Sequence, residues 1–186
     1  MIADFTGAKH VIAYANGTMA LSAALMALGL QYGDEVLVPD ITFIATANAV
    51  ILAGGKPVFC DVDLNDWQIS PDSILEHITS KTKGIIPVHL YGVPANMERI
   101  MEIANEKGLF VLEDAAESIG ASYHGKHVGR FGKVGMISFY ANKIITTAEG
   151  GVLLTEDENL AKELYKLKNH GRPQKGIFIH ESIGFN

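Results

Sequence analysis

The sequence predicts an α/β domain, a mostly parallel seven-stranded sheet with helices on both faces. Three observations carry this. Seven short β-branched or apolar runs recur along the 186 residues, and most lack the polar alternation of a strand with one wet face. Segments with helical signals fall between them, as the crossovers of parallel strands require. No repeat or low-complexity linker divides the chain, and its length suits one core at ~100–200 residues per domain.

The first strand is predicted at Val11–Ala13 and leads through Asn16 and Gly17 into an Ala- and Leu-rich helix over Thr18–Leu30. Val36–Val38 is the second strand, and Thr42–Ala53 a second helix closed by Gly54 and Gly55. Both helices are almost wholly apolar, so both are expected to be buried. Val58–Asp61 is the third strand. Ser70, Pro71 and Asp72 then open a helix, with Ser as N-cap and Pro at the first helical position. Gly84–Val88, Leu109–Glu113, Val134–Phe139 and Gly151–Thr155 are the remaining strands. Among them lie a helix at Asn96–Lys107, stopped by Gly108, and a hairpin-like turn at Ser122–Gly129. Glu156–Asn169 is an amphipathic helix with basic residues towards its C-terminal end.

Composition narrows the classes of function. With 48% apolar and 19% charged residues the chain should fold rather than remain a disordered tail. A net charge of -6 with no basic cluster argues against a nucleic-acid partner. The single Cys60 excludes an internal disulfide, and a reducing cytoplasm is the economical location. No apolar run approaches the ~18 residues that span a bilayer, and the first ten residues lack a secretory pattern, so no membrane association is expected. The last residues, Glu181–Asn186, lack a polar fade-out, which leads to the expectation of a piece of a longer protein.

Ligands of open α/β sheets sit beyond the carboxyl ends of the strands. Four positions there carry candidate chemistry. Gly17, Thr18 and Met19 follow the first strand and open a helix, where free N–H groups and a hydroxyl suit a phosphate; an ordinary capped turn fits equally. Asp114 ends a strongly apolar strand and precedes the small Ala115 and Ala116. A carboxylate there could pair with a pyridinium nitrogen, or simply cap a helix. Lys143 follows the strand ending at Ser138 and Phe139 and is flanked by apolar residues; a partly desolvated amine is suited to Schiff-base chemistry, although a lone Lys is more often a solvated surface group. Phe43, at the start of the second helix, could stack on a planar ring or belong to the core.

Two weaker patterns carry less. His124 and His127 lack neighbouring Cys, Asp or Glu ligands, so no metal is predicted. Gly129, Gly132 and Gly135 precede a strand, whereas the dinucleotide fingerprint follows one.

Five ordered segments together are more specific than any one motif. Ala15–Leu21, Thr42–Ala49, Pro87–Gly92, Glu113–Ser118 and Ser138–Gly151 resemble the DegT/DnrJ/StrS-type sugar aminotransferases, and the likeness covers nearly the whole chain. The resemblance implies a fold-type I pyridoxal 5'-phosphate enzyme in which residues 1–186 are the cofactor-binding large domain. An N-terminal segment and a smaller C-terminal domain would complete it, and the active site would lie at a homodimer interface. It implies Lys143 as the catalytic Schiff-base lysine, Asp114 at the ring nitrogen and Phe43 on the ring. Gly17, Thr18, Met19 and Ser138 would surround the phosphate, Asn142 would lie beside Lys143, and Glu117 would be near the cofactor hydroxyl. The run around Glu117 and that around Lys143 look most like perosamine-forming members. These would move an amino group from L-glutamate to a nucleotide-linked 4-keto-6-deoxy sugar, with pyridoxamine phosphate as the intermediate cofactor form. The alternatives are a sugar dehydratase on the same scaffold, whose members replace the Lys by His, and an inactive binding module. Ala141 and Ala148 stand where relatives usually have Gly, which is neutral at negative φ and costly at positive φ.

Overall fold

The computed structural model describes residues 1–174 and 176–185. In chain order the elements are α1 (Ile2–Thr6), β1 (His10–Tyr14), α2 (Gly17–Ala27), β2 (Glu35–Pro39), α3 (Ala45–Leu52), β3 (Lys56–Cys60) and α4 (Pro71–His77). There follow β4 (Thr82–Ile85), a 3-10 turn (Leu90–Gly92), α5 (Met97–Lys107), β5 (Phe110–Asp114), the small hairpin β6 (Ser122–Tyr123) and β7 (Lys126–His127), β8 (Val134–Ser138), β9 (Gly151–Thr155) and α6 (Glu158–Lys168). Seven strands form one sheet in the order β1-β9-β8-β5-β4-β2-β3. Four of its interfaces are parallel, and β9 runs antiparallel to both β1 and β8. The predicted mostly parallel α/β architecture is the one observed.

Side-chain alternation sorts the core into two faces. Val36, Val38, Leu112, Met136 and Leu153 point to one, where α2, α3 and α6 supply Leu21, Leu25, Val50 and Leu164. Leu37, Ile85 and Val111 point to the other, against Ile74 of α4 and Met97, Ile100 and Ile103 of α5. Leu21 and Leu25 of α2 are fully buried, each contributing about 2 kcal/mol by removal from water. The helix is apolar all round because it is enclosed by the sheet, α3 and α6.

Several element limits differ from expectation for identifiable reasons. The fourth strand ends at Ile85 rather than Val88, because Pro87 has no N–H for the ladder. Val88 keeps only an isolated bridge to Asp114. The second apolar helix starts at Ala45, not Thr42. Phe43 lies in the preceding turn, where its carbonyl accepts the Thr46 N–H. The first apolar helix stops at Ala27 because Gly29 has φ 81°. The short α1 was outside the sequence expectation altogether.

Ala141 and Ala148 part ways. Ala148 has φ 68°, whereas Ala141 is absent from the positive-φ residues.

The glycines at 129, 132 and 135 have a structural role. Gly135 of β8 passes so close to the preceding loop that a Cβ would meet the Gly129 carbonyl oxygen at 2.2 Å. This contact folds the 129–132 loop back over β5. There the Gly129 and Gly132 N–H groups each donate to the Glu113 carboxylate at 2.7 Å, and that of Phe131 donates to it at 2.5 Å. His89 Nδ1 accepts the Ala95 N–H, which leaves Nε2 to donate to the same carboxylate at 3.1 Å. Glu113 and His89 are both fully buried, so this closed network costs far less than an unpaired carboxylate would.

Candidate active site

Successive residues of β5 point to opposite faces, so Glu113 enters the α5 side while Asp114 enters the α2 and α3 side. Asp114 is 4% exposed. Its Oδ2 accepts the Thr46 hydroxyl at 2.7 Å and its Oδ1 the Ala116 N–H at 3.1 Å. Burial pushes its pKa up, while those two hydrogen bonds and the Lys143 charge pull it back. The result is a desolvated carboxylate with acceptor capacity left over.

Three residues further on, the chain has left the strand and Glu117 faces Lys143. Lys143 Nζ donates to Glu117 Oε1 at 3.1 Å, and the pair is only partly exposed. Glu117 Oε2 accepts the Tyr91 N–H at 3.1 Å. The fold thus brings Asp114 and Glu117, from the segment that ends β5, and Lys143, from the turn after β8, to one end of the sheet.

Gly17 and Ser138 form the neighbouring part. A Cβ on Gly17 would lie 3.4 Å from Ser138 Cβ and 3.1 Å from Met136 Sδ. A larger residue at 17 would therefore fill the space between the start of α2 and the end of β8. Ser138 Oγ accepts the Tyr140 N–H at 3.3 Å. Thr18 is half-buried, and its carbonyl accepts the Ser22 hydroxyl. The Met19 N–H is engaged by a cap, the alternative that the sequence left equally open. Asn16 caps α2, and its Oδ1 accepts that N–H at 2.9 Å.

Phe43 and Asn142 are not drawn into this group. Phe43 is 72% exposed, and Asn142 is exposed in the turn that the Lys143 N–H closes on the Tyr140 carbonyl. The surroundings form an open apolar rim, with Tyr91 75% exposed and Ile144 also facing outwards. Two concave clefts lie elsewhere. One is beside α6, around Tyr165 and Arg172, and the other is at the amino ends of the strands, around Phe110 and Lys133; neither is lined by Asp114 or Lys143.

Thr46 escaped sequence reasoning. The available signal was a hydroxyl at the first polar position of a mostly apolar helix, one turn after Thr42, whose own hydroxyl lies 3.1 Å away.

The sequence model of the DegT/DnrJ/EryC1/StrS aminotransferase family matches residues 1–186. The chain belongs to this family. Within the DegT/DnrJ/EryC1/StrS aminotransferases it is 46% identical to a GDP-perosamine synthase of Escherichia coli O157:H7, over 96% of this chain and 49% of that protein. It is also 46% identical to a UDP-N-acetyl-3-dehydro-alpha-D-glucosamine 3-aminotransferase of Acidithiobacillus ferrooxidans, over 100% of this chain and 50% of that protein. Among solved structures, S. venezuelae DesV in complex with a ketimine intermediate superposes with a TM-score of 0.95 at 38% identity, covering 100% of this chain and 50% of DesV. NtdA of Bacillus subtilis, with bound cofactor PMP, superposes with a TM-score of 0.91 at 37% identity, covering 99% of this chain and 42% of NtdA. The chain spans about half the length of the curated relatives it matches. Among the described residues no helix is long and apolar enough to cross a membrane.

Proposed function

We propose that residues 1–186 are the cofactor-binding domain of a pyridoxal 5'-phosphate-dependent aminotransferase. It moves an amino group from L-glutamate to a nucleotide-linked 4-keto-6-deoxy sugar of the perosamine type, in the cytoplasm and as a homodimer. The observation that carries this reading is the Lys143 amine held 3.1 Å from Glu117, three residues beyond the buried Asp114 carboxylate at the end of β5.

The residues fit the cofactor. Asp114 is a carboxylate taken out of water with spare acceptor capacity, and a protonated ring nitrogen supplies the charged donor that offsets its desolvation. Gly17 leaves space beside Ser138 at the start of an eleven-residue helix, where first-turn N–H groups favour an anion. When bound, pyridoxal phosphate supplies an aldehyde that holds amines covalently and a ring that withdraws electrons.

The chain's own groups do the rest. Lys143 would hold the cofactor covalently, and its amine, when free, would carry a proton to and from the substrate carbon. Glu117 orients the Lys143 amine and takes part in its proton balance. Asp114, steadied by Thr46 and the Ala116 amide, keeps the ring nitrogen protonated. Gly17, Thr18 and Ser138 would surround the phosphate, with Phe43 stacked on the ring and Asn142 beside Lys143 at the cofactor. Lys143 favours amine transfer over the dehydratase alternative, in which a His stands at that position.

Borohydride reduction after adding pyridoxal phosphate, followed by peptide mass spectrometry, tests the cofactor assignment. The expected adduct is on Lys143, and labelling at another lysine overturns it. Incubation with glutamate and GDP- or dTDP-linked 4-keto-6-deoxy sugars tests the substrate class. An aminated GDP-sugar supports it, and a deoxygenated, nitrogen-free product overturns it.

A further inference from the structure

The Glu117 carboxylate is aimed by a turn that another part of the chain holds in place. Tyr91, which supplies the N–H to Glu117 Oε2, sits in a left-handed conformation at φ 54° and ψ 26° inside the Leu90–Gly92 turn. A non-glycine residue does not stay there without restraint. The restraint is the side chain of Gln68, which is 2% exposed. Its Oε1 accepts the Leu90 N–H at 3.1 Å, and its Nε2 donates to the Leu90 carbonyl at 3.4 Å and to the Asp66 carbonyl at 3.0 Å. His89 holds the same turn from the other side, through the Ala95 N–H and through its carbonyl, which accepts the Ser118 hydroxyl.

We infer that Gln68 is a positioning residue for the proposed reaction: its amide clamps both polar groups of Leu90 and so fixes the Tyr91 N–H that orients Glu117 against Lys143. The inference rests on the cofactor reading above for its consequence, but not for its geometry.

A primary amide suits this position because it presents a donor and an acceptor in one plane, matching the N–H and C=O of a single residue. An apolar replacement leaves the buried Leu90 N–H without a partner, so the turn relaxes and the Tyr91 N–H moves off Glu117. Gln68 itself is anchored. Ile69 beside it is buried among Leu37, Ile74 and Met97, and the Gln68 carbonyl accepts the Asp63 N–H. The relay therefore runs from the α4-side core, through one amide and one strained turn, to the amine.

The test is a double-mutant cycle between Gln68→Met and Glu117→Gln, read by two measurements. The first is hydrogen exchange of the Tyr91 amide followed by heteronuclear NMR without cofactor. Wild-type protein should protect this amide on the order of tenfold or more relative to an open turn, despite the exposure of the Tyr91 side chain, and Gln68→Met should remove the protection, whereas Glu117→Gln keeps an acceptor oxygen and should retain part of it. The second is the pH midpoint of the visible absorbance after loading with pyridoxal phosphate. Gln68→Met should lower it by about half a unit, because a less well aimed anion stabilises the neighbouring positive charge less, and should add nothing once Glu117 is Gln.

A Tyr91 amide that exchanges at the open-turn rate in wild-type protein overturns the inference without any variant having to fold. So does a Gln68→Met shift that persists at full size in the Glu117→Gln background. Protection of the amide with no visible band on adding cofactor instead rejects the cofactor reading and leaves the positioning geometry standing.

Discussion

The Thr46 hydroxyl lies 2.7 Å from Asp114 Oδ2 and is its one side-chain donor among the described residues. A helix on the α2 side of the sheet and the end of a central strand thus meet at a carboxylate shielded from water. The arrangement makes the free protein sensitive to pH. Because burial raises the Asp114 pKa in the folded state, the native form binds more protons than the unfolded one above the ordinary carboxylate value. Stability from this group is therefore greatest at acid pH and declines as pH rises through the raised native value. Urea titrations across that range should show wild-type protein losing stability relative to Asp114→Asn as pH rises. A difference that grows in the opposite direction contradicts the burial argument.

Removing the donor should sharpen that effect. Thr46→Val keeps the shape and leaves the ionised carboxylate without its side-chain hydrogen bond, at a cost of about 2 kcal/mol at neutral pH and less in acid. Equal losses at both pH values would mean that packing, not charge, holds Thr46 in place.

Glu35 responds to acid with the opposite sign. The Thr79 hydroxyl and the Lys56 amine hold its carboxyl below the ordinary value. Its stabilising contribution is present above the unfolded-state pKa and is lost as pH falls through the native one. Glu35→Gln should therefore matter at neutral pH and become silent in acid, as followed by thermal melts in a pH series.

The Glu113 cradle should be among the least replaceable features. Glu113→Ala leaves three backbone N–H groups and His89 facing an apolar gap, and a loss of at least about 3 kcal/mol is expected in denaturant unfolding. Hydrogen exchange should locate the damage in the 129–132 loop. An undisturbed loop would show that Gly135 alone folds it back.

Ala148 offers a gain instead. At φ 68° an L-residue is strained by about 1 kcal/mol, and Gly removes that strain at some cost in unfolded-chain entropy. Ala148→Gly should raise the denaturation midpoint, while Ala141→Gly should lower it or leave it unchanged.

Much of this organisation was legible in the residues because it is local. The strands were visible as apolar runs, and Asp114 and Lys143 stood out because each follows one of them. At the start of α2, by contrast, a capped turn and a phosphate site weighed equally, since a cap and a ligand site look alike in sequence; the Asn16 side chain takes the Met19 N–H. Phe43 shifted out of its helix because the Thr42 and Thr46 hydroxyls and the Phe43 carbonyl together set a turn ahead of it. Gln68 carried no sequence signal, and His89 stood only within the Pro87–Gly92 segment, with no role of its own legible there. Their roles arise only when Leu90, Ala95 and Glu113 are brought up by pairing between distant strands. The reversed direction of β9 was equally hidden, since strand order in a sheet is not a local property.

That reversed strand has a consequence for synthesis. Gly151 packs with its Cα against the backbone of Asn16 and Gly17, and among the described residues β1 finds its only sheet neighbour in β9. During translation the opening turn of α2 must therefore wait, unsupported, until more than a hundred later residues have left the ribosome. Nascent chains in which Gly151–Thr155 is still inside the ribosome should leave His10–Tyr14 open to protease, and chains in which it has emerged should not.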